Sequence, residues 1–170
     1  LREDDNDWRI ERELIDRLEQ VWQEADEGIW EVRGPRRHFT HSKVMAWVAF
    51  DRAIKDAQRY GLNGPVDHWR RLRDQLHQEI CEKAYNPRLQ AFVQSYGSGE
   101  LDASVLMMTE VGFLPPTDPR MILTVHAIEK ELVRDGFVDR YHTESGVDGL
   151  PKGEGAFLLC TFWLADNYSM

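Results

Sequence analysis

Apolar residues recur every three to four positions along most of the chain, the spacing of amphipathic helices rather than strands. Ile10, Leu14, Leu18, Val21 and Trp22 form one such stripe and predict a helix over 8–25, stopped by Gly28. A loop over 27–38 follows, with two glycines, one proline and three arginines. The second predicted helix spans 40–60, with Thr40 as its N-cap and Gly61 as its stop. It is apolar around much of its circumference (Val44, Met45, Trp47, Val48, Phe50, Ile54), which predicts burial on more than one side. The third, over 66–84, has a single stripe of Trp69, Leu72, Leu76, Ile80 and Ala84 against a charged face, and reads as an outer helix. Alternation over 86–96 predicts a short strand or hairpin arm. A short apolar helix is expected over 102–111, and Pro115-Pro116 breaks the chain. Asp118 then caps a fifth helix over 119–135, with Pro119 at its first position and Gly136 as its stop. After a glycine-rich loop, a sixth begins near Ala156. Inner-type and outer-type helices in alternation predict an all-α toroid or bundle. The long loops between them are where function is expected.

Composition narrows the classes. A chain of 170 residues fits one domain. Hydrophobic content of 42% with 30% charged residues is that of a folded chain and excludes disorder. A net charge of −9 argues against a nucleic-acid partner. Two cysteines, Cys81 and Cys160, do not make a disulfide scaffold and are expected as buried free thiols. Apolar runs such as 156–165 are about half the roughly 20 residues a membrane span needs, so no membrane partner is expected. The charged segment 1–8 is no signal peptide, which points to the cytoplasm. A start at Leu1 and an end at Met170 inside an apolar run raise the expectation of a longer parent chain. Six Trp, seven Phe and five Tyr are many for this length; such rings fill cores and also line sugar-stacking sites.

Three segments carry candidate chemistry. In Gly28-Ile29-Trp30-Glu31-Val32-Arg33-Gly34 a carboxylate directly follows an indole. An indole wall that strips water from Glu31 would favour its protonated form, which a glycosidic leaving group requires. The same residues are equally read as a core plug, Trp30, beside an ion pair of Glu31 with Arg33 or Arg36. In the second segment, Arg140 offers a fork of donors to hydroxyls or a carboxylate. There too, Glu154 stands between glycines as either a site acid or a helix-start acid. The third, His38-Phe39-Thr40-His41, has two histidines three apart, but no HExxH or cysteine partner, so no metal is expected. No GxGxxG, GxxxxGK[ST] or GxSxG motif is present, and no cofactor is implied.

The Gly28–Gly34 stretch followed by His38-Phe39-Thr40-His41-Ser42-Lys43 resembles the general-acid segment of glycoside hydrolase family 15. That family holds glucoamylases, glucodextranases and bacterial or archaeal trehalases. Leu101-Asp102-Ala103-Ser104, Gly112-Phe113-Leu114-Pro115-Pro116 and 149–159 resemble its later stretches, in the same order. The resemblance implies an (α/α)6 barrel of inner and outer helices, of which 1–170 would be a single fragment of about half. It implies inverting hydrolysis of an α-glucoside, trehalose or a maltooligosaccharide. Glu31 falls on the general acid, Trp30 on a wall of the innermost sugar subsite, and Arg140 and Tyr141 on a sugar-binding pair. Val32 stands where fungal glucoamylases carry a second acid, which favours the bacterial branch. The general base would lie further along, beyond Met170, and Glu154 would line the substrate site. A partial toroid would expose inner-helix surface and favour self-association. The alternative that stays open is a non-catalytic helical-toroid module that binds a sugar or protein partner through the same side chains.

Overall fold

The computed structural model describes residues 3–142 and 157–170. Among them, six α-helices dominate: α1 (Glu3–Val21), α2 (Thr40–Tyr60), α3 (Val66–Lys83), α4 (Met107–Glu110), α5 (Pro119–Leu132) and α6 (Leu158–Ser169). A 3-10 turn, Ala103–Leu106, leads into α4. Two small antiparallel hairpins complete the set. β1 (Tyr85–Asn86) pairs with β2 (Ala91–Phe92), and β3 (Val133–Arg134) with β4 (Phe137–Val138).

The core forms around α2, whose apolar circumference contacts α1, α3 and the 3-10 turn. Phe50 and Ala53 are wholly buried, with Val44, Trp47, Ile54 and Ala57 close to it. Against them α3 contributes Trp69, Leu76 and Ile80, α5 Ile128 and Leu132, and α6 Cys160. As expected, α3 sends one stripe inward and its charged face to water. In α1 the buried row differs from the expected stripe. Trp8, Ile15, Leu18 and Trp22 face inward, while Ile10 and Leu14 are exposed at 47% and 65%. Spacings of seven, three and four select that row, and Ile10 and Leu14 fall on the adjoining face.

Several ends also differ. α1 stops at Val21, and the Lys43 ammonium, buried in α2, donates to the Trp22 and Glu24 carbonyls just past its end. Thr40 is the first helical residue rather than the cap; its hydroxyl donates to the Val93 carbonyl at 2.5 Å. Gly61 ends α2 as expected, with φ +66°. The short fourth helix is largely a 3-10 turn capped by Asp102, whose carboxylate accepts the Ser104 N–H at 2.8 Å. Asp118 and Pro119 start α5 as expected, but it ends at Leu132. Asp135 (φ +51°) and Gly136 (φ +83°) form the turn of the second hairpin instead of a helix stop. Cys160 is buried as expected and its thiol is pushed up to about 12 by burial; Cys81 is only half-buried.

Candidate active site

The loop after α1 is closed at its neck by reciprocal backbone hydrogen bonds between Asp26 and Arg37, at 2.9 and 3.0 Å. Inside it, the Gly28 N–H donates to the Asp26 carboxylate at 2.8 Å. Gly28 has φ +71°, and a Cβ there would lie 2.8 Å from the Phe39 ring. This close approach is available only to glycine. Phe39 in turn pairs with Ser95, and the Thr40 N–H donates to the Gln94 carbonyl at 2.9 Å. The loop and the start of α2 are therefore stitched to the segment after β2.

Glu31 has φ +50°. Two other non-glycine residues among those described share the left-handed region, Gln90 and Asp135, and both lie in hairpin turns. Glu31 ends the hydrogen-bonded turn 28–31 inside the loop that the Asp26–Arg37 bridge closes. Its neighbours are fixed. Val32 is 2% exposed and its N–H donates to the Glu27 carbonyl at 2.9 Å; the Glu31 N–H reaches the Gly28 carbonyl at 3.2 Å. The Glu31 side chain is exposed between them. Arg36 pairs with Glu27 at 2.7 Å, so the alternative ion pair with Glu31 does not form there.

Trp30 is half-buried in an aromatic and cationic nest. Its ring meets Phe157 edge-on at 5.6 Å, with Trp163 at 6.3 Å and Tyr141 at 6.4 Å. The Arg140 guanidinium lies 5.6 Å from the Trp30 ring centre and 5.7 Å from that of Tyr141. The indole N–H donates to both oxygens of Asp102, at 3.1 and 2.9 Å. Asp102 is 2% exposed and also accepts the Gln94 side-chain amide at 3.0 Å. It forms a backbone bridge with Tyr141, and the Ala103 N–H donates to the Arg140 carbonyl at 2.8 Å. Trp30, Arg140 and Tyr141 are thus together, with Glu31 adjoining by the chain. Glu154 lies outside the described residues.

His38 and His41 do not converge. His38 stacks on Tyr96 at 5.7 Å. His41 lies partly buried under the loop; burial lowers its pKa, with Asp102 and Asp26 opposing. Among the described residues, no three His, Cys, Asp or Glu side chains are placed to hold a metal ion. The larger surface clefts lie elsewhere. One of about 510 Å³ sits between α1 and the Gly61–Asn63 turn, and one of about 570 Å³ between the first hairpin and α5. The loop itself borders a shallow depression of about 430 Å³ at Gly28, Ile29 and His41.

Sequence reasoning missed Asp102 and Gln94 as members of the site. Asp102 had a visible signal, an aspartate two residues before a serine at a predicted helix start, but that pattern means a cap by itself. Its reach to Trp30, 72 positions away, exists only in three dimensions.

The family model of glycosyl hydrolases family 15 matches residues 1–170. Trehalase of Mycobacterium tuberculosis is 44% identical over 160 residues, which cover 94% of this chain and 23% of the relative. Trehalase of Thermoplasma acidophilum is 39% identical over 160 residues, covering 94% and 27%. The chain spans about a quarter of the length of these curated relatives. A solved wild-type glycosidase aligns with a TM-score of 0.78 at 18% identity, covering 91% of this chain and 40% of that one. A glycosidase variant in complex with glucose aligns equally well. At that identity the likeness concerns the fold, a mostly helical part of an (α/α)6 barrel. Since the family model runs the whole length of the sequence, the chain belongs to glycosyl hydrolases family 15.

Proposed function

We propose that this chain is the acid-bearing segment of an inverting glycosidase that cleaves α-glucosides. The observation that carries the reading is Glu31, exposed and held at positive φ between two anchored neighbours, beside the Trp30, Arg140 and Tyr141 nest. Glu31 donates a proton to the glycosidic oxygen as the bond to the anomeric carbon breaks. A base carboxylate from the remainder of the enzyme takes a proton from water attacking the opposite face. Inverting enzymes hold such carboxyls roughly 6.5–9.5 Å apart, leaving room for that water. Trp30 walls the innermost sugar subsite. Arg140, its guanidinium 5.6 Å from the indole centre, orients sugar hydroxyls with its planar donors, and Tyr141 adds to the same wall. Glu154 serves as a further substrate-binding acid. The trehalases at 44% and 39% identity favour trehalose over maltooligosaccharides as substrate. Two free cysteines are in keeping with the reducing cytoplasm.

The test is Glu31→Gln in the full-length enzyme. Turnover of trehalose should fall by about 10²–10⁴-fold, the usual worth of a general acid, while calorimetry still detects sugar binding. Retention of most of the turnover overturns the assignment of Glu31. A wild-type protein that binds sugar and hydrolyses none is instead a non-catalytic binding module.

A further inference from the structure

We infer that Asp102 is the positioning residue of the site, holding the Trp30–Glu31 loop and the Arg140–Tyr141 segment in one geometry. This rests on the reading of Glu31 above. Asp102 accepts four hydrogen bonds from three donors: the Trp30 indole at 3.1 and 2.9 Å, the Gln94 amide at 3.0 Å and the Ser104 N–H at 2.8 Å. At 2% exposure it has almost no water to replace any of them. A buried carboxyl group is tolerable only when partners surround it, and three donors do so here.

Trp30 is the residue immediately before Glu31, so an anchor on its indole limits displacement of the backbone that carries the acid. Ring contacts with Tyr141, Phe157 and Trp163 restrict rotation of the indole but are non-directional. The two hydrogen bonds to Asp102 are directional and select one orientation. On its other side, Asp102 is bridged through its backbone to Tyr141, and its successor Ala103 to Arg140. Asp102 therefore ties a loop from the first quarter of the chain, through its side chain, to the 140–141 segment nearly 110 positions later, through its backbone. Asp102 touches no sugar in this scheme; it acts through Trp30, Arg140 and Tyr141. Displacement of a reacting group by about 1 Å costs about 10²-fold in rate.

Asp102→Asn breaks the donor–acceptor match with little change of volume. The Asn oxygen still serves Ser104 and the indole, but its NH2 replaces the second oxygen of the indole contact and meets the Gln94 amide, which must turn over to offer its oxygen, unpartnered among the described residues. Adding Gln94→Glu places an acceptor opposite that NH2 in either orientation. Both variants, with Gln94→Glu alone, belong in the full-length enzyme, assayed for kcat, KM and thermal midpoint on trehalose. Asp102→Asn should lower kcat by about 10²-fold with KM changed only a few-fold, and the double variant should recover at least ten-fold. Gln94→Glu alone sets two carboxylates face to face and should also lose turnover. Wild-type kcat in Asp102→Asn overturns the proposal. So does a loss that tracks the thermal midpoint and is not recovered in the double variant, because the residue is then a structural element only. Glu31→Gln run alongside separates the two claims. If it is fully active, the acid assignment falls and this proposal with it. If it is inactive while Asp102→Asn turns over normally, only the role of Asp102 falls.

Discussion

A methyl group added at Gly28 has nowhere to go. The φ of +71° already disfavours any side chain by about 1–2 kcal/mol, and Phe39 stands 2.8 Å from the new atom. Gly28→Ala should lower stability by about 2 kcal/mol or more, read as a shift of the urea midpoint, and should reduce turnover because the Glu31 loop moves with it. An unchanged midpoint would show that Phe39 yields freely. Beneath the same loop, His41 is held neutral by burial. Its folded pKa lies below the ordinary 6.5, so native and unfolded states differ only below that pH. There the unfolded chain takes up the proton first. Thermal stability should therefore fall as pH drops from about 6.5, and His41→Gln should flatten that fall. An identical pH dependence in the variant would remove His41 from the account.

α5 separates what local patterns tell from what they leave out. Asp118 accepts the Arg120 N–H at 2.9 Å and a two-point contact from the Arg120 guanidinium at 3.0 and 2.8 Å. The side-chain contact chiefly holds the Asp118 carboxyl below its ordinary 3.8, so this stability is present at neutral pH and is lost as pH falls below about 4. Asp118→Ala should cost about 1 kcal/mol at pH 7 and much less at pH 3, measured by denaturant titration at both. A cost that is equal at the two pH values would deny the linkage. That cap was legible because an Asp-Pro start is written in adjacent residues. The other end was not: Asp135-Gly136 signals both a helix stop and a two-residue hairpin turn, and pairing of Val133 with Val138 decides for the hairpin. Likewise, α2 was legible at Gly61 but not at Thr40, whose hydroxyl is claimed by the Val93 carbonyl 53 positions away.

Along α6 the described residues leave several apolar side chains uncovered. Phe162 and Tyr168 are each 57% exposed, and Leu158 and Met170 each 52%. The relatives are about four times longer, so further helices are the natural cover for this face. Produced alone, the chain should self-associate, with light scattering giving a mass above 19.9 kDa that falls when Phe162 is replaced by Asp. A strictly monomeric chain at high concentration would contradict this. No helix among the described residues is long and apolar enough to cross a membrane.

Local order was readable from the sequence alone. Helical periodicity, the αL stop at Gly61, the Asp118-Pro119 start and the acid-bearing loop with its glycine are all properties of neighbouring residues. The family likeness was readable too, because those neighbours keep their order along the chain. Tertiary structure alone decided that Asp102 and Gln94 join Trp30, Arg140 and Tyr141, whose grouping the family likeness already implied. It also decided that α1 turns Ile10 and Leu14 outward. Periodicity marks a face as apolar without naming what covers it. A buried carboxylate acquires its partners only when distant segments close around it.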